Sequence, residues 1–468
     1  MDVAQHFFCE SLGTRSMATP TLPSDGCLSW GRVHRFRHYL VRPMSRSAVP
    51  DIVAANGGRP LLGYGLGRSY GDSCLNQDGV LVQMSHLNRI LGFDEETGDL
   101  TCEAGASLAE ILARFARPSS DGSAWFPPVS PGTRFVTIGG AIANDVHGKN
   151  HHFFGTIGRH VRSLELLRSD GSVQICSPEH NAALFRSTIG GLGLTGLILS
   201  ATIRLRRVPS LMLDVERIRF EGFKEFHALA QQSQTAWEYT VAWLDCISHR
   251  RQLPHGIFMR ANHVSEYPMS PPSVPSTKPR FAIPITPPFS LFNQVTTRAV
   301  NFVYARELRG RQAVQRVAPY GKVFYPLDAV GDWNRLFGRR GFFQYQCVIP
   351  TSVAKEAIME LFGCVSTSSE YPVLAVLKTF GDVPSPGLLS FPCEGTTIGL
   401  DFPNRGARTL SLLDRLDRIT EAAGGRVYPA KDGRMSAESF RRYYPQWTKF
   451  ASFIDRGFGS SFQRRVAP

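Results

Sequence analysis

"GYGLGRSYGD" at residues 63–72 and "PGTRFVTIGGAIANDVHGKNHH" at residues 131–152 decide how this chain is read. The first follows a short apolar run and places glycines at 63, 65, 67 and 71 with small or polar residues between them. That spacing lets successive backbone N–H groups converge on an anion. The second adds Gly132, Gly139, Gly140 and Gly148. Two glycine loops, each after apolar sequence, suit a large cofactor threaded between two subdomains.

The polar knot "DVHGKNHH" (145–152) admits three readings: a metal site, a catalytic site, or a loop against a cofactor. It has no cysteine nearby, which counts against zinc. His151 and His152 are read as making capping or loop hydrogen bonds. A second glycine motif, Gly191-x-Gly193-x-x-Gly196 in "GGLGLTG", matches the dinucleotide fingerprint in form only. Such a loop must open a helix at the pyrophosphate. Here it opens an alternating strand, so its glycines are read as a strand-to-strand turn. No Walker A pattern is present.

Around these loops strands alternate with helices. "VLVQM" (80–84) reads as a buried strand. "SLAEILARFARP" (107–118) reads as a helix, with Ser107 and Glu110 as a capping box and Pro118 as its stop. "SLELLRSDGSVQIC" (163–176) is a hairpin turned at Asp170-Gly171, and "LILSATIRLRRV" (197–208) is one strand. "FFQYQCVIP" (342–350) is a strand with Gln344 and Gln346 on one face beside Phe342 and Val348. "LSLLDRLDRITEAAGG" (410–425) is an amphipathic helix with a glycine stop. The proline-rich stretch 267–292 cannot form regular helix or sheet. It reads as a linker or as a mobile, membrane-facing flap. The class is α+β.

Length allows two or three domains in 468 residues, and 43% hydrophobic with 19% charged residues is a globular composition. The net charge of +13 points to an anionic partner. Basic residues are scattered rather than clustered, which argues against nucleic acid and leaves an acidic membrane surface or a phosphorylated substrate. The nine cysteines (9, 27, 74, 102, 176, 246, 347, 364 and 393) form no CxxC and read as reduced, mostly buried thiols. No apolar run reaches the roughly 18 residues of a membrane span. The first 16 residues lack the order of a signal peptide, and Met17 opens an alternative start. A cytoplasmic protein, or one peripheral to the inner membrane, is expected.

Taken together, "GLGRSYGD", "PGTRFVTIGGAIANDVHGKNHH", "GLTGLILSATI", "AWLDCIS", "FYPLDAVGDWNR", "GFFQYQCVIP" and "YPAKDGR" resemble the vanillyl-alcohol-oxidase, or PCMH-type, FAD-binding fold. Within it they are most similar to the decaprenylphosphoryl-β-D-ribose 2-oxidase family. The resemblance spans Trp30 to Arg465. It implies an N-terminal extension over 1–29, an FAD-binding domain over 30–210, an antiparallel-sheet substrate domain over 211–425, and a segment over 426–468 that returns to the FAD domain.

It also implies a set of site residues. Gly63, Gly65, Leu66, Gly67, Arg68, Ser69, Tyr70, Gly71 and Asp72 would hold FAD from the first loop. Gly132, Thr137, Ile138, Gly139, Gly140, Asn144, Asp145, Val146, His147 and Gly148 would do so from the second, joined by Ile198 and Tyr428. Gly148 is expected to allow close approach or positive φ. Where many relatives carry a flavin-linking histidine, this chain has Arg68-Ser69-Tyr70, so dissociable FAD is expected. Lys149, Trp243, Tyr325, Gln344, Gln346, Lys378, Phe380 and Lys431 would meet the substrate. Lys431, Tyr70 and His147 would serve the chemistry, with Lys431 either neutral as a proton acceptor or charged against reduced flavin. Gly399 stands where relatives often carry a cysteine and should widen the pocket.

The implied reaction oxidises the ribose 2-hydroxyl of a polyprenyl-phosphate sugar. The implied partner is a short-chain reductase that completes epimerisation to arabinose. A free-sugar or aldonolactone oxidase on the same fold is the alternative.

Overall fold

A computed structural model describes residues 26–247, 255–265, 277–308 and 310–467. The first half builds two sheets on one apolar core. Strands Tyr39–Val41, Val80–Gln83 and Leu61–Tyr64 pair in parallel, in that order. Val80, Leu81 and Val82 are buried on both sides, so the central strand is an unbroken apolar run. A five-stranded antiparallel sheet follows, ordered Ile90–Phe93, Asp99–Glu103, Leu197–Arg204, Val161–Leu167 and Val173–Cys176. The last two form the expected hairpin, with Gly171 at φ +85°. The helix Leu108–Phe115 starts at the expected capping box: Glu110 N donates to Ser107 Oγ at 3.2 Å, and Ser107 N to the Glu110 carboxylate at 2.8 Å.

The second half is an eight-stranded antiparallel sheet. Its order is Ala313–Pro319, Met212–Glu221, His255–His263, Tyr239–Asp245, Leu374–Phe380, Gly395–Pro403, Phe342–Ile349 and Arg426–Val427. One face packs on the helices Gly222–Ser233, Ala354–Thr367 and Ala407–Ala422 through Phe343, Tyr345, Cys347, Leu377, Ile398 and Leu400. Alternation then points Gln344, Gln346, Val376, Lys378, Thr397, Gly399 and Asp401 to the opposite face. The two halves make an α+β molecule, as expected.

Two segments depart from their sequence reading. Residues 197–208 form two strands, not one. Leu205 N donates to Gly98 O at 2.8 Å at the end of the five-stranded ladder, and Arg206–Val208 then pairs with Ala124–Phe126 instead. Of the proline-rich stretch, 267–276 lies outside the described residues. From 277 onward it contains a short strand, Phe281–Ala282, parallel to Val330–Gly331. That corrects the expectation of no sheet: the strand falls between Pro279 and Pro284, and Ile283 N donates to Gly331 O at 2.9 Å.

The chain's final segment rejoins its beginning. Leu61 N donates to Gly457 O at 2.8 Å and Gly459 N to Leu61 O at 3.0 Å, which adds Phe458 to the parallel sheet. Among the described residues no helix is long and apolar enough to cross a membrane.

Candidate active site

A cavity of about 370 Å³ lies between the polar face of the large sheet and the two glycine loops. The register explains its wall. Gln344 lies opposite Asp401, Gln346 opposite Gly399, Val376 opposite Gly399 and Lys378 opposite Thr397. Three neighbouring strands thus present polar groups on alternate positions, and Gly399 leaves space between them. A Cβ there would sit 3.2 Å from Val376 Cγ2. Tyr428, Ala430 and Lys431 close the cavity from the loop after the last strand.

The polar groups are joined to one another. Gln344 Nε2 donates to Asp401 Oδ1 at 2.5 Å. Gln346 Nε2 lies 3.2 Å from His147 Nε2, and Lys378 Nζ lies 3.3 Å from His147 Nδ1. Lys431 Nζ stands 3.9 Å from the centroid of the Tyr70 ring. Burial sets the charges. It pushes the Lys431 ammonium down to about 8, opposed by the Asp401 carboxylate. It raises the Asp401 carboxyl to about 7, opposed by the Gln344 amide and Lys431. Lys378 falls to about 7 through burial and then through Lys149 and Lys431. His147 lies well below its usual value through burial and then through Lys378, His151 and Lys431, so it is a neutral imidazole.

The first glycine loop offers its backbone to the cavity. The amides of Leu66, Gly67, Arg68 and Ser69 donate to no acceptor among the described residues. A Cβ on Gly65 would lie 2.3 Å from Thr137 Oγ1, so that loop presses directly on the second one. Arg68 lies over the Trp30 ring at 4.1 Å. In the second loop the Gly139 and Gly140 amides are already used, by Ala104 O and Thr137 Oγ1. That loop contributes small size and one polar group. Asn144 Nδ2 donates to Gly140 O at 2.8 Å, leaving its buried Oδ1 without a partner. Tyr428 Oη donates to Asn144 O at 2.8 Å and ties this loop to the one bearing Lys431.

Most residues singled out from the sequence line this cavity: Gly63, Gly65, Leu66, Gly67, Arg68, Ser69, Tyr70, Gly132, Thr137, Gly139, Gly140, Asn144, Val146, His147, Ile198, Gln344, Gln346, Lys378, Tyr428 and Lys431. Nine stand behind its wall, each for a visible reason. Gly71 abuts the Asp432 carbonyl, 1.5 Å from where its Cβ would be. Asp72 pairs with Arg465 at 2.7 Å. Ile138 is core. Asp145 is fully buried at φ +41° and accepts from Gly158 N at 2.9 Å, from Ser390 at 2.5 Å and from Ser385. Gly148 keeps an ordinary φ; it is needed for close approach, since a Cβ would lie 2.7 Å from Asn150 Oδ1. Lys149 Nζ donates to Phe324 O at 3.0 Å. Trp243 packs on Tyr304, with ring centroids 4.7 Å apart. Tyr325 Oη hydrogen-bonds with Ser130 Oγ at 2.5 Å. Phe380 lies edge-on to His147, 4.7 Å between centroids.

Other assignments shift too. His152 Nε2 bonds Trp237 O at 2.9 Å as a loop contact, whereas both His151 nitrogens are buried without partners. "GGLGLTG" joins the helix Ala182–Thr188 to the strand Leu197–Arg204, so it is not a strand-to-strand turn. Gly193, at φ +76°, and Gly196 line the cavity even though no helix starts there. Asp401 is absent from the residues singled out from the sequence; it lies inside a nine-residue strand with every residue buried, which only the fold reveals.

Comparison with known proteins fits this geometry. Residues 38–177 match the FAD binding domain family model. The chain is 35% identical to decaprenylphosphoryl-β-D-ribose oxidase of Mycolicibacterium smegmatis over 96% of this chain and 99% of the relative. The chain belongs to the decaprenylphosphoryl-β-D-ribose oxidase family of FAD-binding oxidoreductases. Lactone enzymes are also similar. Mouse L-gulonolactone oxidase is 32% identical over 81% of this chain and 82% of its own. L-gulono-1,4-lactone dehydrogenase of Mycobacterium tuberculosis is 24% identical over 91% and 95%.

The protein is therefore an FAD-dependent oxidoreductase, and its residues fit the cofactor. The free amides of 66–69 suit a pyrophosphate. The orphaned Asn144 Oδ1 suits a ring N–H. The glycines leave room for a backbone-to-ring approach.

Proposed function

We propose that this flavoenzyme oxidises the ribose 2-hydroxyl of a polyprenylphosphoryl-β-D-ribose to the 2-keto sugar. The observation that supports the reading is a buried lysine set against a wall that carries two buried amides. Lys431 stands over Tyr70 and is paired electrostatically with Asp401, and Gln344 and Gln346 face the same cavity. FAD, when bound, supplies the two-electron acceptor for the hydride that leaves the sugar carbon. Lys431 takes the hydroxyl proton on Nζ, and burial keeps a fraction of it neutral near neutral pH. Gln344 and Gln346 orient hydroxyls with amides that need polar partners when buried. Asp401 stabilises the ammonium once it forms. Trp30, Leu327 and Trp333 give the cavity an apolar flank on which a lipid tail can lie.

The non-covalent state of FAD belongs to the same reading, because no histidine lies in the first loop and His147 is held by Gln346. So do a short-chain reductase that consumes the keto product and work at a membrane surface, with no role for nucleic acid. A second reading, oxidation of a free sugar or aldonolactone, is favoured by the lactone relatives. Anaerobic flavin bleaching separates them. Bleaching by polyprenylphosphoryl ribose, and not by L-gulonolactone or free pentoses, is expected. The opposite selectivity would replace the first reading with the second.

A further inference from the structure

The helix Gln294–Ala305 is inverted relative to an ordinary surface helix, whose apolar stripe faces the core. Its buried side chains are polar: Thr297 is 0% and Asn301 5% exposed. Asn301 Nδ2 donates to Asp245 Oδ1 at 2.7 Å, so the polar stripe is anchored inward. Val295 and Val303 face outward, 74% and 56% exposed. The loop leading into the helix exposes Phe281, Ile285 and Phe289 as well, at 59%, 73% and 68%. So many exposed apolar side chains within 281–303 mark an interaction site in a way that scattered residues do not.

The loop is fixed against the cavity entrance. Ile283 N donates to Gly331 O at 2.9 Å, Leu291 N to Leu336 O at 2.8 Å, and Arg335 to Pro284 O at 2.6 Å. The segment it grips carries Leu327 and Trp333, which line the cavity, and Leu327 is 41% exposed, so the cavity opens there. Charge selects the occupant. Between residues 277 and 316 the chain carries seven lysines and arginines and one acid, Glu307. A second copy would bring the same positive charge, and nucleic acid would leave the apolar side chains unused. An anionic bilayer satisfies both features.

We infer that the outward face of Gln294–Ala305, with the 281–291 loop, docks on an anionic lipid bilayer and sets the cavity mouth against it. Its purpose rests on the lipid-borne substrate proposed above; its evidence does not. The test uses full-length holoprotein and sedimentation with phosphatidylcholine vesicles, with and without phosphatidylglycerol. Wild type should partition onto the phosphatidylglycerol vesicles. Val295→Asp with Val303→Asp should lower that partition by about tenfold or more, as should Arg298→Glu with Arg306→Glu. Both variants should keep bound flavin and wild-type turnover of a soluble, short-tailed substrate. Undiminished partition in both variants overturns the inference. So does a lipid-free dimer that Val295→Asp with Val303→Asp abolishes, which would make the face a contact between copies. If wild type turns over no polyprenylphosphoryl sugar, the proposed reaction fails while the vesicle result still decides the docking.

Discussion

At the scale of single residues, Lys431 is where burial and chemistry meet. Lys431→Met should fold and retain FAD. Anaerobic flavin reduction by substrate should slow by about 10²–10⁴-fold, the usual cost of losing a proton acceptor. The pH dependence carries the sign. A lysine lowered to about 8 is neutral above that value and charged below it. If the neutral form takes the proton, the reduction rate rises about tenfold per pH unit up to about 8 and then levels. A rate that falls across the same range would assign Lys431 the charged role against reduced flavin. Lys149 is expected to behave differently, because its ammonium is spent on the Phe324 carbonyl behind the wall. Lys149→Ala should lower unfolding stability by about 1–3 kcal/mol in denaturant titrations, with little change in KM. Gly399→Cys should be tolerated with a small shift of Val376, and should make flavin reduction sensitive to alkylating reagents.

At the scale of elements, the active-site loops depend on a clasp that lies outside the cavity. Arg465 bonds both oxygens of Asp72, at 2.7 and 3.0 Å, and Asp432 at 2.9 Å. Asp72 follows Tyr70, and Asp432 follows Lys431. The clasp therefore fixes the lysine over the ring, helped by Tyr70 N donating to Ala430 O at 2.8 Å. Arg465→Met leaves the buried Asp72 carboxylate without its guanidinium, whereas Asp432 keeps the amides of Arg434 and Met435, and should cost about 3–5 kcal/mol in chemical unfolding. In the surviving folded protein kcat should fall more than KM rises, with partial rescue by Arg465→Lys.

Elements were legible in the sequence where local chemistry is self-sufficient. The capping box at Ser107, the Asp170-Gly171 turn and the period-two face of Gln344 and Gln346 all needed only near neighbours. Lys149, Trp243 and Tyr325 were assigned to the pocket by motif. Sequence position alone cannot tell which side of a wall a side chain faces when a neighbouring carbonyl or ring competes for it. Gly193 and Gly196 read as a turn because the motif they mimic requires a helix, whereas in the fold both line the cavity at positive φ. Asp401 pairs with Gln344 across strands 57 positions apart, which no local window reports.

At the scale of the whole molecule, FAD and fold are thermodynamically linked. Free FAD at about 100 times its dissociation constant should raise unfolding free energy by about 2.7 kcal/mol, read as a shift in denaturation midpoint. Acid precipitation should leave the yellow colour in the supernatant; colour retained in the pellet would show a covalent link. The pairing of Leu61 with residues 457–459, together with the Arg465 clasp, also fixes a timetable. A growing chain emerges N-terminal end first, at about 5–20 residues per second. The glycine loop at 63–72 is made almost 400 residues before its supporting strand at 457–459. The cradle therefore gains its full support only after synthesis has passed residue 465. A nascent chain stalled before that point should hold flavin more weakly than the finished protein, a difference that flavin fluorescence of stalled and released chains would read.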